Sequence, residues 1–279
     1  MKQLPAILSA LLFSVFVIAD HLVAQTPERL EKIAEGEYWR WEGGHPIKDT
    51  AQSWTIRRTK DGFEIENKLP PDKAAALMAA FGNAFSSKMT PELKDEIENS
   101  TTTTEIQIEL DHAMAVQRLQ LIGRKLSDAR QVEVANCAVK ENEISCKGRT
   151  GGARLKNSAQ SLLVYSYAFP LLFTPMLRQS KVAQGQTVAV KLGMLVEVKN
   201  KLELTEVAGQ LRSEGKDQLT IGQSTFETEK FILTLETKSG ARQVTLWASK
   251  QGMIFGLEDS RDVPGARILL TQFKKSADF

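Results

Sequence analysis

The chain has few of the residues that build metal sites and nucleophilic active sites. It contains three histidines and two cysteines in 279 residues. A zinc site needs three or four ligands, and two cysteines without a nearby histidine are too few. A Ser-His-Asp triad needs a histidine oriented by a carboxylate, but Asp111 and His112 are neighbours that point to opposite faces of a strand. His45 lies in a loop context between glycine and proline. We therefore expect no metal, no cofactor, no catalytic residue and no enzyme activity.

Strong charge of either sign is also missing. Lys and Arg together number 36 and Asp and Glu 34, so the formal net charge is +2. No basic block indicates a nucleic-acid partner, and no acidic tail indicates disorder. Carboxylate pairs that share a strand face, Glu64 with Glu66 and Glu227 with Glu229, have the geometry to flank a sugar. A solvated strand face explains these pairs equally well.

Long apolar runs are confined to the first two dozen residues. Lys2 precedes an apolar run of 14 residues, Ala6 to Ala19, and the small-residue stretch Leu22-Val23-Ala24 follows. This order is typical of a secretory signal peptide. The run is shorter than the roughly 20 residues of a membrane-spanning helix, although a retained anchor is the alternative. We predict a signal peptide over residues 1–24, cleaved after Ala24. The product is an exported protein, periplasmic or secreted, without a transmembrane anchor.

The two cysteines predict a disulfide bond. Cys137 and Cys146 belong to segments that indicate two strands, with the polar stretch Lys140-Glu141-Asn142 as the turn between them. In an oxidising compartment an even pair of cysteines forms a bridge. A pair of metal-binding thiolates is the alternative.

Residues 25–279 predict a mainly β (α+β) domain, with two halves possible that divide near residues 160–186. Phe231, Leu233 and Leu235 share one strand face, and short alternating segments with intervening turns continue to residue 273. Val196, Val198, Leu202 and Leu204 have one parity and predict a single long strand. This rhythm of strands indicates a curved antiparallel sheet or half-barrel.

Two helical regions interrupt the strands. Thr26-Pro27-Glu28 is a helix start, and a short helix is expected to run to about Ala34 and end at Gly36. Residues 70–98 predict an inserted helix pair, because Leu77, Phe81 and Phe85 recur at intervals of four.

The most apolar part of the exported chain is residues 162–177, where Pro170 and Pro175 argue against one long helix. This segment is expected to be buried core or the lining of a ligand cavity. Candidate ligand contacts are its aromatic residues together with two tryptophans on one face of the first strand, namely Trp39, Trp41, Tyr165, Tyr167, Phe169 and Phe173. Packing in an aromatic core is the alternative.

Residues 187–273 contain short motifs that resemble a known family. The motifs are a turn before Thr225-Phe226-Glu227, the strand segment Leu246-Trp247-Ala248, and a turn at Gly252-Met253-Ile254. This stretch resembles exported bacterial domains of unknown function. Those domains are similar to the curved antiparallel half-barrels of periplasmic lipoprotein carriers. The resemblance implies a concave apolar face and supplies no catalytic residues.

The leading hypothesis is non-enzymatic binding of a lipid or other apolar or amphipathic ligand in the hollow of a curved sheet. The alternative is an envelope module that binds another protein or has a structural role. An outer-membrane barrel fits poorly, because such barrels need aromatic girdles and the chain has only three tyrosines.

Overall fold

The structure is a computed structural model that describes residues 31–47, 50–69, 102–125, 131–140, 143–148, 151–156, 161–164, 169–198, 201–237 and 240–275. The predicted signal peptide and the helix pair predicted over residues 70–98 lie outside these ranges. Within the ranges, no helix has the length and apolar character that crossing a membrane would need.

The described residues form sixteen strands, one short α-helix and one 3-10 helix. The strands are β1 (Glu31–Glu42), β2 (His45–Pro46), β3 (Gln52–Thr59), β4 (Gly62–Lys68), β5 (Thr102–Asp111), β6 (Val116–Lys125), β7 (Gln131–Lys140), β8 (Glu143–Gly148), β9 (Gly151–Lys156), β10 (Ser161–Val164), β11 (Thr187–Val198), β12 (Lys201–Ile221), β13 (Ser224–Thr237), β14 (Gly240–Ala248), β15 (Ile254–Asp259) and β16 (Arg267–Lys275). The 3-10 helix spans Pro170–Phe173, and helix α1 spans Thr174–Ser180.

All sixteen strands belong to one sheet that curls into a nearly closed barrel. Strands β3 to β9 form one antiparallel meander and β11 to β16 form another. Strand β1 joins the two meanders, because it lies between β16 and β3. At the far end, β9 lies against the long strand β12. The sequence prediction of a mainly β, curved antiparallel architecture is confirmed.

Alternation along the strands directs apolar side chains to the interior. On β13 and β14, Phe231, Leu233, Leu235, Val244 and Leu246 are buried. They share one continuous core with Ile56, Ile65, Ile106, Ile108 and Leu119 of the opposite meander. Burying one such side chain stabilises the fold by about 1.5–3 kcal/mol, so this core holds the two meanders together.

Residues 169–177, which follow β10, pack into the interior core of the barrel. Phe169 to Leu177 are all buried, and Phe169 contacts the Tyr38 ring edge-on at a centroid distance of 6.4 Å. Pro170 and Pro175 stand at the beginnings of the 3-10 helix and α1. Proline is favoured there because the first turn of a helix needs no N–H donor. The prolines therefore start two short helical turns inside the core.

The predicted amino-terminal helix is wrong where the structure describes it. Glu31 to Ala34 belong to β1, and Ala34 pairs with Lys275 of β16. Gly36, expected as a helix end, lies in mid-strand, where a Cβ would stand 2.6 Å from Cζ2 of Trp54. Burial of Ile33 and Ala34 in the core outweighs the local capping signal.

The predicted single strand over residues 196–204 is a hairpin. Strand β11 ends at Val198, β12 begins at Lys201, and the two pair in an antiparallel register. Leu195 pairs with Leu204, and both side chains are buried. Residues of one parity lie on one face only within a single strand, and parity does not show whether a turn intervenes. It therefore could not distinguish one long strand from two paired strands.

The predicted disulfide is confirmed. Cys137 of β7 pairs directly with Cys146 of β8, the Cα atoms are 4.0 Å apart, and both side chains are buried. The bridge therefore links two neighbouring strands inside the core. Disulfides persist in oxidising compartments, so this bond supports an exported protein.

Candidate functional site

The inner face of the sheet, where the sequence placed a ligand, is occupied by the chain's own side chains. Phe169 and Phe173, two of the predicted ligand contacts, are 1% and 0% exposed within the core. The Tyr38 hydroxyl donates to the carbonyl of Ile254 at 2.6 Å, and the Tyr38 side chain is fully buried. Tyr165 and Tyr167 lie outside the described residues.

The two predicted tryptophans of β1 lie outside the main core. Trp39 is half-buried, and its Nε1 donates to the Glu37 carboxylate at 3.0 Å. Trp41 packs on a second, smaller apolar cluster. The two residues therefore do not join Phe169 and Phe173 in one site.

This second group, here called the outer cluster, covers the other face of the carboxy-terminal strands. It consists of buried Leu219, Ile221, Trp247 and Leu269 with half-buried Trp41, Phe226 and Phe255. Leu219 and Phe226 pair across the β12–β13 hairpin. The tip of that hairpin, residues 217–228, therefore packs over β14 to β16. At Gly256 a Cβ would lie 3.0 Å from Leu219 and 2.9 Å from Leu269, so a glycine leaves room for the hairpin tip.

The hairpin tip is also held by polar contacts to Trp247. Its indole Nε1 donates to the Asp217 carboxylate at 2.9 Å, and the Arg267 guanidinium stands 4.9 Å from the ring centroid. The hydrogen bond from Trp247 holds the pKa of Asp217 below its usual value, with help from the Gln218 N–H and against a smaller desolvation effect. The sequence motifs Thr225-Phe226-Glu227 and Leu246-Trp247-Ala248 therefore meet in this layer.

Two adjoining clefts share the β14–β15 turn, and one is also lined by the end of α1 and the other by the β12–β13 hairpin. The first, here called the rim cleft, has a volume of about 650 Å³. Buried Leu177 and Phe231 and half-buried Val182 line it, with Lys181 and Lys250 among its exposed residues. The second, here called the hairpin cleft, has a volume of about 430 Å³ and contains Asp217, Glu227 and Glu229. Ligand sites are typically concavities of about 300–1,000 Å³, and the rim cleft lies within this range.

Sequence reasoning missed both clefts. Their shared wall is the turn Ser249–Gln251 together with Glu229 of β13. The sequence indicated only a turn at Gly252 in this region. Nothing local indicated that α1, more than seventy residues earlier, would lie across from this turn, where Arg178 Nε donates to the Gln251 carbonyl.

In the first of the two carboxylate pairs, one glutamate forms ion pairs within the sheet. Glu66 accepts hydrogen bonds from Arg57 at 2.9 Å and from Lys68 at 3.2 Å. Burial acts to raise the pKa of Glu66, but these cationic partners outweigh it and the pKa is lowered. A glycosidase acid needs a raised pKa, so Glu66 is unsuited to that role. Glu227 and Glu229 line the hairpin cleft.

Metal and triad chemistry find no support in the described part of the chain. Among the described residues, no group of three His, Cys, Asp or Glu side chains is placed to hold a metal ion. Asp111 accepts from the backbone N–H of Ala115 and from the Gln117 amide. The ring of His112 instead packs edge-on against Phe63.

Comparison with known proteins identifies a fold. No protein-family model and no curated protein matches the chain. A β-barrel-like domain of unknown function, DUF1849, from Brucella abortus matches with a TM-score of 0.50 and 6% identity over 89% of this chain and all of that one. This likeness shows the β-barrel-like fold that the carboxy-terminal motifs predicted.

Two other solved structures align more loosely. A DUF1089 family protein from Pseudomonas aeruginosa has a TM-score of 0.42 and 11% identity over 81% of this chain and 95% of that chain. The hypothetical lipoprotein YmcC from Escherichia coli has a TM-score of 0.31 and 12% identity over the whole of both chains.

Proposed function

We propose that this protein is a non-enzymatic binding protein of the cell envelope, periplasmic or secreted, that holds an amphipathic ligand in the rim cleft. The observation that carries the proposal is the combination of an apolar floor, formed by Leu177, Val182 and Phe231, with exposed lysines beside it. An acyl chain gains about 0.8 kcal/mol for each CH₂ group removed from water, and a polar head group can remain at the charged edge.

The rim cleft is favoured over the hollow of the barrel because the described interior is already packed. A ligand in the hollow would have to displace Phe169 and Phe173, which are among the largest fully buried side chains. Moving one such ring from the core into water costs about 1.5–3 kcal/mol. A ligand in the rim cleft displaces only solvent. Contact of a ligand with Trp39, Trp41, Tyr165, Tyr167, Phe169 or Phe173 stays a prediction from the sequence.

An envelope protein-interaction or structural module is the second candidate, and the filled interior favours it. A barrel packed with its own side chains needs no ligand to complete its core. In that case the outer layer of β12 to β16, with its two clefts, would be the surface that a partner protein contacts.

Mass spectrometry of the protein purified from its native host tests the proposal. Native spectra should show the protein with a bound small molecule, and denaturing spectra should show the mass of the protein alone. Val182→Asp places a charge on the cleft floor and should abolish the adduct. Val263→Asp is the matched control, because Val263 is 54% exposed in the β15–β16 turn; this variant should keep the adduct. A bare wild-type protein, or an adduct retained by Val182→Asp, would refute the proposal in favour of the interaction module.

A further inference from the structure

The two clefts carry opposite charge imbalances although they share a wall. The rim cleft is lined by three cations, Arg178, Lys181 and Lys250, and one carboxylate, Glu229. The hairpin cleft is lined by Asp217, Glu227 and Glu229 with two lysines. Counting each lining side chain once gives a net of +2 for the rim cleft and −1 for the hairpin cleft.

The wall of the rim cleft is held in place by a contact between α1 and the β14–β15 turn. Arg178 lies in the last turn of α1, and its donation to the Gln251 carbonyl at 2.5 Å ties the helix to that turn. Partial burial of the guanidinium lowers the pKa of Arg178 from its usual value. Gly252 allows the close approach, because its φ is +82° and a Cβ would lie 3.0 Å from Cγ of Arg178.

The two lysines of the rim cleft are not neutralised by the rest of the described chain. Lys181 caps α1 in a left-handed conformation, with φ of 44°, and Lys250 follows Ser249 in the β14–β15 turn. Neither ammonium group has a carboxylate within 4.0 Å among the described residues, whereas Lys191 and Lys68 on the strands do. The apolar floor and the unneutralised lysines thus lie side by side.

We infer that the ligand of the rim cleft is a lipid with an anionic head group. This inference rests on the proposed function and adds the class of head group. The acyl chain lies on Leu177, Val182 and Phe231, and the anionic group lies between Lys181 and Lys250. The adjoining hairpin cleft repels the same head group, because its carboxylates outnumber its lysines. The two clefts together therefore orient the ligand with its head at the lysines.

Calorimetric titration of the purified exported protein with two lysophospholipids tests the head-group assignment. Oleoyl lysophosphatidylglycerol and oleoyl lysophosphatidylcholine have the same chain, but only the first has a net negative charge. The wild type should bind the anionic lipid about tenfold more tightly. Lys181→Glu combined with Lys250→Glu should remove that preference. Lys216→Glu, a charge reversal in the hairpin cleft, should keep it. Thermal unfolding of each variant checks that these exposed substitutions leave the fold intact.

The outcomes distinguish failure of the head-group assignment from failure of the proposed function. Equal binding of both lipids by the wild type, abolished by Val182→Asp, would overturn the anionic head group and leave the proposed function standing. A preference that survives the double lysine variant would also overturn the assignment. Absence of binding by either lipid, or binding that Val182→Asp leaves unchanged, would overturn both the inference and the proposed function.

Discussion

The outer faces of the two meanders are built differently, although both meanders share one interior. On β3 to β6 the outer face carries ion pairs such as Arg57 with Glu66 and Arg118 with Glu109. On β14 to β16 it carries Trp247 and Leu269 beneath the tip of the β12–β13 hairpin. The first face is in contact with solvent, and the second is a buried layer.

Neither of the two described clefts lies on the outer face of β3 to β6. The hairpin cleft lies beside the hairpin tip, and the rim cleft lies between the end of α1, β13 and the β14–β15 turn. The rim cleft lies where the end of α1 and the β14–β15 turn meet the edge of the shared core, because Leu177 and Phe231 belong to that core.

The largest expected effect concerns the shared interior. Phe173→Ala should lower the free energy of unfolding by about 3–5 kcal/mol, because the ring is fully buried and its loss leaves a cavity. Phe273→Ala is the matched control, since Phe273 is 43% exposed, and it should cost less than about 2 kcal/mol. Urea unfolding monitored by circular dichroism measures both. Equal losses would mean that the segment after β10 does not pack inside the barrel.

A somewhat smaller effect is expected in the outer layer. Trp247→Ala should cost about 3 kcal/mol, because the indole is 5% exposed and supports the hairpin tip. Glu66→Ala, on the outer face of the other meander, should cost less than about 1 kcal/mol, since part-exposed ion pairs contribute little. The same unfolding experiment compares them. Equal losses in the free energy of unfolding for the two variants would mean that the two outer faces do not differ in burial.

The disulfide should contribute less to the free energy of unfolding than Phe173 in the shared interior or Trp247 in the outer layer. The bridge closes a loop with a sequence separation of 9. The chain-entropy model gives about 2–3 kcal/mol for such a loop. Replacing Cys137 and Cys146 together by Ala should lower the free energy of unfolding by this amount in non-reducing buffer. The wild type in reducing buffer should behave like the double variant once the bond is reduced. An unchanged unfolding midpoint would show that the bond contributes nothing to stability.

The smallest expected effect is a pH dependence at the hairpin tip. The pKa of Asp217 is lowered in the folded state. Its contribution is therefore present above the unfolded-state pKa of about 4 and is lost as the pH falls through the lower folded-state value. Asp217→Asn should destabilise by less than about 1 kcal/mol at pH 7. Its difference from the wild type should shrink as the pH falls below about 4. A difference that grows on acidification would have the wrong sign for this contact.

Local patterns in the sequence predicted the elements whose signals are local. The alternation of Phe231, Leu233 and Leu235 and the pairing of Cys137 with Cys146 were each predicted within a few residues of sequence. The same local signals misassigned Glu31 to Ala34, because pairing with β16 at the opposite end of the chain decides that segment.

The candidate site was not predictable by the same means. The rim cleft brings together the end of α1, β13 and the β14–β15 turn, three elements whose proximity depends on the curvature of the sheet. The hairpin between β11 and β12 was missed because the intervening sequence, Lys199-Asn200, lacks the glycine that usually reveals a two-residue turn. Residues that are brought together only by tertiary packing leave no periodic pattern in the sequence.

Photo-crosslinking tests most directly the claim that the ligand lies in the rim cleft and not in the hollow. A fatty acid with a diazirine in mid-chain would be irradiated with the purified protein, and the modified peptides would be mapped by mass spectrometry. A ligand in the rim cleft should give adducts on Leu177, Val182, Phe231 and the turn Ser249–Gly252. Adducts on interior residues such as Ile56 and Ile108 would contradict the claim and place the ligand inside the barrel.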